Sequence, residues 1–302
     1  MNFDFGEVLT RAGQITWKHK MLWLFSALPA LAGMFFIPLF LLPFLFVDFD
    51  AYGPPRFLEE PLFFVFFFVG TIVISLLSFV LYGISSASVT WGVLRAEGGE
   101  EKLGVRALFD GGQKYWLKVL GVTFLTSVIF SLAVLVFLGC MTLFGVITMG
   151  LGFLCIQPFI ILLYPLSLVV YGFIEEALAA VVADDLNVVA ALQRGWELVK
   201  TNFWRILLIS FIVYFAISLL GGLFTVPFMF PFFYLPILTD GSAPDMRVVM
   251  LFIGGITLFM FPVMVLVQGV GVTFLKAAYA LTYLRLTRSK QADAPLVSEA
   301  NA

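Results

Sequence analysis

Five long stretches of this chain contain no Asp, Glu, Lys, Arg or His: 21–47, 61–94, 119–174, 206–239 and 248–275. A helix crosses the ~30 Å hydrocarbon core of a bilayer with about 20 apolar residues, each adding about 1.5 Å. Four of the stretches have single-span length. The stretch 119–174 is too long for one helix and fits two, with the break at 145–152, where Gly145, Gly150 and Gly152 permit a tight turn. Six spans result. The balance of residue types agrees, with 62% apolar and only 12% charged over 302 residues, against about a quarter charged in a soluble domain. Such an excess is too large for a water-soluble core to hide. A soluble globular domain and a disordered chain are excluded. A nucleic-acid binder is excluded by the net charge of −2 and the lack of a basic block.

Lys and Arg set the orientation. With six spans, both termini share a side with 95–118 and 175–205, and these segments with 1–20 and 276–302 hold all of the 17 Lys and Arg residues except Arg56 and Arg247. The termini are therefore expected in the cytoplasm. A cleavable signal peptide is the competing reading of the start, since Ala30-Leu31-Ala32 has the small-x-small form. Against it, the apolar stretch runs on to Val47, and Asp4 and Glu7 sit where a basic region belongs. Cys140 and Cys155 form no metal or redox motif and define no redox compartment.

Each pair of spans is preceded by a short amphipathic stretch. In residues 3–17, Phe5, Val8, Leu9, Ala12 and Ile15 oppose Glu7, Arg11 and Gln14. In 103–115, Val105, Leu108 and Phe109 oppose Arg106, Asp110 and Lys114. In 186–200, Val188, Val189, Leu192, Trp196 and Val199 oppose Gln193, Arg194 and Glu197. Each stretch then passes through aromatics and cations into a span: Trp17, Lys18, Lys20 and Trp23, then Tyr115, Trp116 and Lys118, then Phe203, Trp204 and Arg205. Such residues suit the headgroup layer of the cytoplasmic leaflet. Three tandem units of about 1–95, 96–183 and 184–286 follow, parallel because each holds an even number of spans. The alternative is that any multi-pass chain needs such entries. Residues 287–302 read as a polar, disordered cytoplasmic tail. Pro227, Pro231 and Pro236 in span five, like Pro38 and Pro43 in span one, predict irregular chain at the outer face.

No catalytic or metal-binding motif is present, so no cofactor, metal or enzymatic activity is expected. The lone histidine, His19, sits at the rim rather than in a cluster of ligands. No ionisable residue lies well inside a span. Glu175, Glu176 and Lys276 fall near cytoplasmic ends, where they either pair or reach the headgroups separately, and the separate arrangement is favoured. The deepest polar side chains are Gln157 and Gln268. They are read as interhelical hydrogen bonds or, alternatively, substrate contacts, and Ser85, Ser86, Ser88 and Thr90 as a crevice lining or packing face.

The segment 177–204 (ALAAVVADDLNVVAALQRGWELVKTNFW) and the opening 11–20 (RAGQITWKHK) resemble the glycerophosphoryl diester phosphodiesterase membrane-domain family and related uncharacterised bacterial six-span membrane proteins. The resemblance covers most of the chain in layout but only these two segments in residues. It implies a bacterial plasma-membrane protein, sometimes fused or adjacent to an enzyme. It does not imply the activity in the family name, because the soluble phosphodiesterase domain needs a His-Arg pair, a second histidine and metal-binding carboxylates, whereas here His19 is followed by Lys20.

The chain is thus expected to be an all-α polytopic membrane bundle of six transmembrane helices and three amphipathic cytoplasmic-side helices, with a threefold internal repeat. The expected role is a non-enzymatic module organising lipid or a partner protein, acting through interfacial residues Arg11, Trp17, Arg194, Trp196, Trp204 and Arg205. The alternative is a transporter or flippase-like carrier of an amphipathic solute. Expected partners are the lipid bilayer and a membrane protein or a second copy of the chain, with no nucleic acid.

Overall fold

The computed structural model describes residues 3–36, 39, 61–238 and 246–293. Among the described residues every regular element is an α-helix: α1 (Phe5–Lys18), α2 (Met21–Gly33), α3 (Pro61–Glu97), α4 (Val105–Gln113), α5 (Trp116–Ile147), α6 (Leu151–Ala183), α7 (Val188–Thr201), α8 (Phe203–Leu238) and α9 (Met246–Asp293). Five are long and apolar enough to cross a bilayer, over Pro61–Glu97, Trp116–Ile147, Tyr164–Ala183, Phe203–Val226 and Gly254–Thr287. The expected first span begins as α2, and most of its outer part, with Pro38, Pro43 and the loop to residue 60, lies outside the described residues. So does the tail beyond Asp293, while α9 itself carries the chain as helix through 287–293.

The break within 119–174 falls inside the expected window. Helix α5 ends at Ile147 and α6 starts at Leu151, with Met149 at φ 51° and Gly150 at φ 92°. A glycine takes that left-handed conformation without a steric penalty. The prolines of span five behave otherwise than expected. Helix α8 is continuous from Phe203 to Leu238 through Pro227, Pro231 and Pro236, so the irregular outer segment is not formed there. Membrane helices tolerate proline where neighbouring groups or small local adjustments satisfy the freed carbonyls.

The three amphipathic stretches are helices α1, α4 and α7. Asp4 caps α1 by accepting from the amides of Gly6 and Glu7 (2.8 and 3.3 Å), and Asn187 caps α7 by accepting from that of Ala190 (2.9 Å). A short polar side chain at this position satisfies first-turn donors that a helix leaves open. The buried face of α1 is the expected one, with Val8, Ala12 and Ile15 inside. The others differ. In α4, Leu108 and Gly112 are buried while Val105 and Phe109 are exposed; in α7, Ala191, Gly195, Leu198 and Val199 are buried while Val189 and Trp196 are exposed. Small residues face the protein because helix backbones approach closely there. A Cβ on Gly112 would lie 2.7 Å from the backbone of Ser88, and one on Gly195 would lie 3.1 Å from the carbonyl oxygen of Phe173. Leu108, Leu198 and Val199 fill the space beside these contacts, and Val105, Phe109, Val189 and Trp196 are left on the outer side.

The packing order is regular. Helices α3, α6 and α9 touch one another pairwise, while α2, α5 and α8 lie beside them: α2 touches α9 and α3, α5 touches α3 and α6, and α8 touches α6 and α9. The amphipathic helices α1, α4 and α7 pack on α9, α3 and α6 respectively. The packed core sits at one end of the bundle. Among the described residues, burial in α3 begins at Gly83 and in α9 at Val265, whereas in α8 it falls in the first turns after the aromatic junction, as it does in α5 apart from Gly145 near the far end. The remaining length of each span presents Phe, Leu, Val and Ile outward; Leu62, Phe66 and Phe68 are 76, 61 and 67% exposed. In water that surface would drive aggregation; in lipid it is the ordinary lining of a membrane protein.

Candidate functional site

Among the described residues, the end of the bundle that carries the amphipathic helices concentrates the charged groups and the tryptophans. At the first junction, Trp17 is exposed and its ring lies 5.3 Å from that of Trp23, whose indole N–H donates to the Thr16 carbonyl at 2.8 Å. At the second, Asp185 bridges two lysines, accepting from Lys114 at 2.9 Å and Lys118 at 2.7 Å. At the third, Arg205 donates to the Asn202 side chain at 3.2 Å and stands over the Phe3 ring, and Trp204 is exposed. Arg11 donates to Glu97 at 2.8 Å, and Arg285 joins Glu97 (3.5 Å) and Glu7 (2.6 Å), tying α1, α3 and α9 together. Arg194 stands 3.8 Å from Glu197 on the same helix, and Trp196 packs edge-on against Phe173 while remaining largely exposed.

Local electrostatics follow these contacts. The hydrogen bond from Lys118, then that from Lys114, holds the Asp185 carboxyl below its usual range, and the bond to Asp185 raises Lys114 above its own. Burial, followed by the charges of Lys18 and Arg11, lowers His19.

Further in, the structure departs from the sequence-based expectation. Glu175 and Lys276, expected to act separately, form a buried ion pair: Nζ of Lys276 donates to Oε1 and Oε2 of Glu175 at 2.9 and 2.7 Å, and each side chain is 3% exposed. Nζ of Lys276 also lies 5.5 Å from the centre of the Tyr82 ring. The three central helices thus each supply one member, Tyr82 from α3, Glu175 from α6 and Lys276 from α9. Glu176, the next residue, is fully buried with neither carboxylate oxygen hydrogen-bonded. Around them Tyr279 donates to Ser210 (2.7 Å), Ser26 and Thr273 share a hydrogen bond (2.8 Å), and Tyr283 donates to Asp184 at the end of α6. The pair had one signal in the sequence. Glu175 and Lys276 stand at corresponding places before alanine-rich turns, Ala177, Ala179 and Ala180 in one case and Ala277, Ala278 and Ala280 in the other.

The intramembrane candidates are not gathered into one site. Ser85, Ser86, Ser88 and Thr90 are buried, and Ser88 lies directly under Gly112 of α4. Gln268 is exposed on α9. Gln157 lies on α6 with its side chain outside the described residues. Among the described residues no group of three or more His, Cys, Asp or Glu side chains is placed to hold a metal ion. No protein-family model, curated protein or solved structure matches the chain.

Proposed function

We propose that this chain is a non-enzymatic membrane module, of three tandem units in cyclic order, that organises lipid or a partner protein at its cytoplasmic face. In this reading the bilayer is crossed six times, both termini are cytoplasmic, and the membrane is the bacterial plasma membrane implied by the family resemblance. The cyclic order is supported by the packing: each amphipathic helix lies on the second long helix of the preceding unit, and α1 closes the circle on α9. The close approaches follow the same rule, with Gly83 against Leu120, Gly172 against Ile206 and Gly269 against the Trp23 carbonyl.

The observation that carries the reading is the two-sidedness of the rim. One side of α1 is fixed to the central helices by ion pairs and one side of α4 and of α7 by glycine contacts, while Trp17 of α1, Trp196 of α7 and Trp204 at the start of α8 stay 66, 59 and 77% exposed. A tryptophan at headgroup depth anchors to the interface, and an exposed aromatic patch is also the kind of surface a partner buries. Replacing Trp196 and Trp204 together by Ala tests it. The expected result is a several-fold loss of co-purifying lipid or protein with an unchanged thermal midpoint; unchanged co-purification would count against the reading.

A carrier reading draws support from Glu175, Glu176 and Lys276, since an ionisable group at membrane depth is a functional candidate by default. It predicts saturable solute flux in proteoliposomes that disappears in Gln268→Leu while the protein stays folded. Flux that survives this change argues against Gln268 as its site.

A further inference from the structure

The three junctions carry similar residues, but their cations are employed differently. Lys114 and Lys118 at the second are bridged by Asp185. Arg205 at the third is held by Asn202 and the Phe3 ring. At the first, Arg11 and Arg285 are matched in number by Glu7 and Glu97, with which they pair. Lys18 and Lys20 are then in excess: both are exposed, and among the described residues no carboxylate lies within ion-pair distance of either. Beside them is a cleft of about 410 Å³ lined by Arg11, Gln14, Trp17, Lys18 and His19.

We propose that this cleft binds the phosphate headgroup of an anionic phospholipid, with Lys18 and the free edge of the Arg11 guanidinium as donors and Trp17 alongside the glycerol and upper acyl region. Arg11 is suited to the task because Glu97 takes its Nε, while its Nη1 reaches only Gln14 at 3.4 Å. The guanidinium is thereby oriented with donors to spare, and planar forked donors match phosphate oxygens. His19 lines the same cleft, where burial first and then the charges of Lys18 and Arg11 hold it below its ordinary value. Trp17 is two-thirds exposed, so one ring face is free for the lipid. The ligand is a lipid rather than free phosphate because the cleft lies where the rim helix α1 turns into the apolar helix α2. The inference deepens the module reading by naming the lipid class that it would organise.

The experiment compares the wild-type chain, Lys18→Gln and Trp17→Ala in nanodiscs of phosphatidylcholine with and without phosphatidylglycerol, then counts the phosphatidylglycerol retained on detergent extraction. A lysine near an anionic surface contributes about fivefold to affinity. The expected result is preferential retention of phosphatidylglycerol by wild type and about fivefold less by Lys18→Gln. Trp17→Ala is expected to change in the same direction, and Lys114→Gln, at the bridged junction, to retain as much as wild type. Retention is expected to fall as salt rises and to be unaffected by millimolar inorganic phosphate. Equal retention by wild type and Lys18→Gln, or displacement of the lipid by inorganic phosphate, overturns the assignment. If the Trp196 and Trp204 variant sheds lipid while Lys18→Gln does not, this site is wrong and the module reading stands.

Discussion

Lys276 on α9 and Glu175 on α6, 101 positions apart in the chain, meet as a two-oxygen ion pair with both side chains 97% removed from the surface. Two charges placed there are costly to desolvate, and their attraction offsets the cost only while both partners are present. Removing one strands the other. Lys276→Met is therefore expected to destabilise the bundle by about 3–5 kcal/mol, whereas the double change Glu175→Leu with Lys276→Met should return it to near the wild-type value. Unfolding of the three forms in mixed micelles tests this, and a single change that costs no more than the double would mean the pair is not buried.

The glycine contacts predict opposite outcomes at two sites. A Cβ at Gly112 would lie 2.1 Å from Oγ of Ser88 and 2.7 Å from its backbone, which cannot move aside as a side chain can. Gly112→Ala should lift α4 from α3 and cost about 1–3 kcal/mol. A Cβ at Gly139 would meet nothing within 4 Å, so Gly139→Ala should stabilise α5 by up to about 1 kcal/mol through helix propensity. Thermal midpoints in one detergent check both signs together.

The Asp185 bridge gives a pH signature. Its carboxyl is held low in the native state by Lys118 and Lys114, so its contribution is complete above the unfolded value of about 3.9 and is lost as pH falls through the lower native value. Lys114 is raised by the same contact, so its contribution is present below about pH 10.4 and fades as pH rises through the raised value. The link from α4 and α5 to the α6–α7 turn should thus persist between these limits. Asp185→Asn should flatten the acid limb of the stability profile, and a limb of unchanged slope would show that another group is responsible.

Burial and the neighbouring cations hold His19 below its ordinary value. It should stay neutral in the native state until pH falls clearly below about 6.5, and the folded form should lose stability as pH drops from there toward the native value. Histidine ring resonances followed by NMR give the midpoint directly, since His19 is the only histidine in the chain. A midpoint at or above 6.5 would contradict the placement of Lys18 and Arg11 around it.

Much of this architecture is legible in the sequence because it rests on local rules. The turn at Gly150 follows from one charge-free stretch being too long for a single helix. Helices α1, α4 and α7 follow from apolar residues at helical spacing between charged ones. What the sequence hides is partnership. The face of α7 that enters the core carries Ala191 and Gly195 with Leu198 and Val199 and leaves Val189 and Trp196 outside, because a close helix backbone selects small residues at its contact points while lipid receives bulky groups as readily as the core does. Hydropathy alone cannot tell these two apolar surroundings apart. The Glu175–Lys276 pair is hidden for a similar reason: each charge, taken singly, is close enough to a span end to reach the headgroups. Only the packing of α6 on α9 brings them together. Residues 85–90 of α3 read from sequence as a packing face or a crevice lining, and the choice between them depends on Gly112, which occupies the space above Ser88.

In the proposed orientation α1, α4 and α7 lie on one face of the membrane, the cytoplasmic one, with the polar turns that follow α3 and α6. Single cysteines at Gly98 and Asn187, placed in a chain with Cys140 and Cys155 replaced by Ser, measure this most directly with a membrane-impermeant thiol reagent. Intact cells should leave both sites unlabelled, and opened, inside-out vesicles should expose both. Labelling of either site from outside intact cells would contradict it.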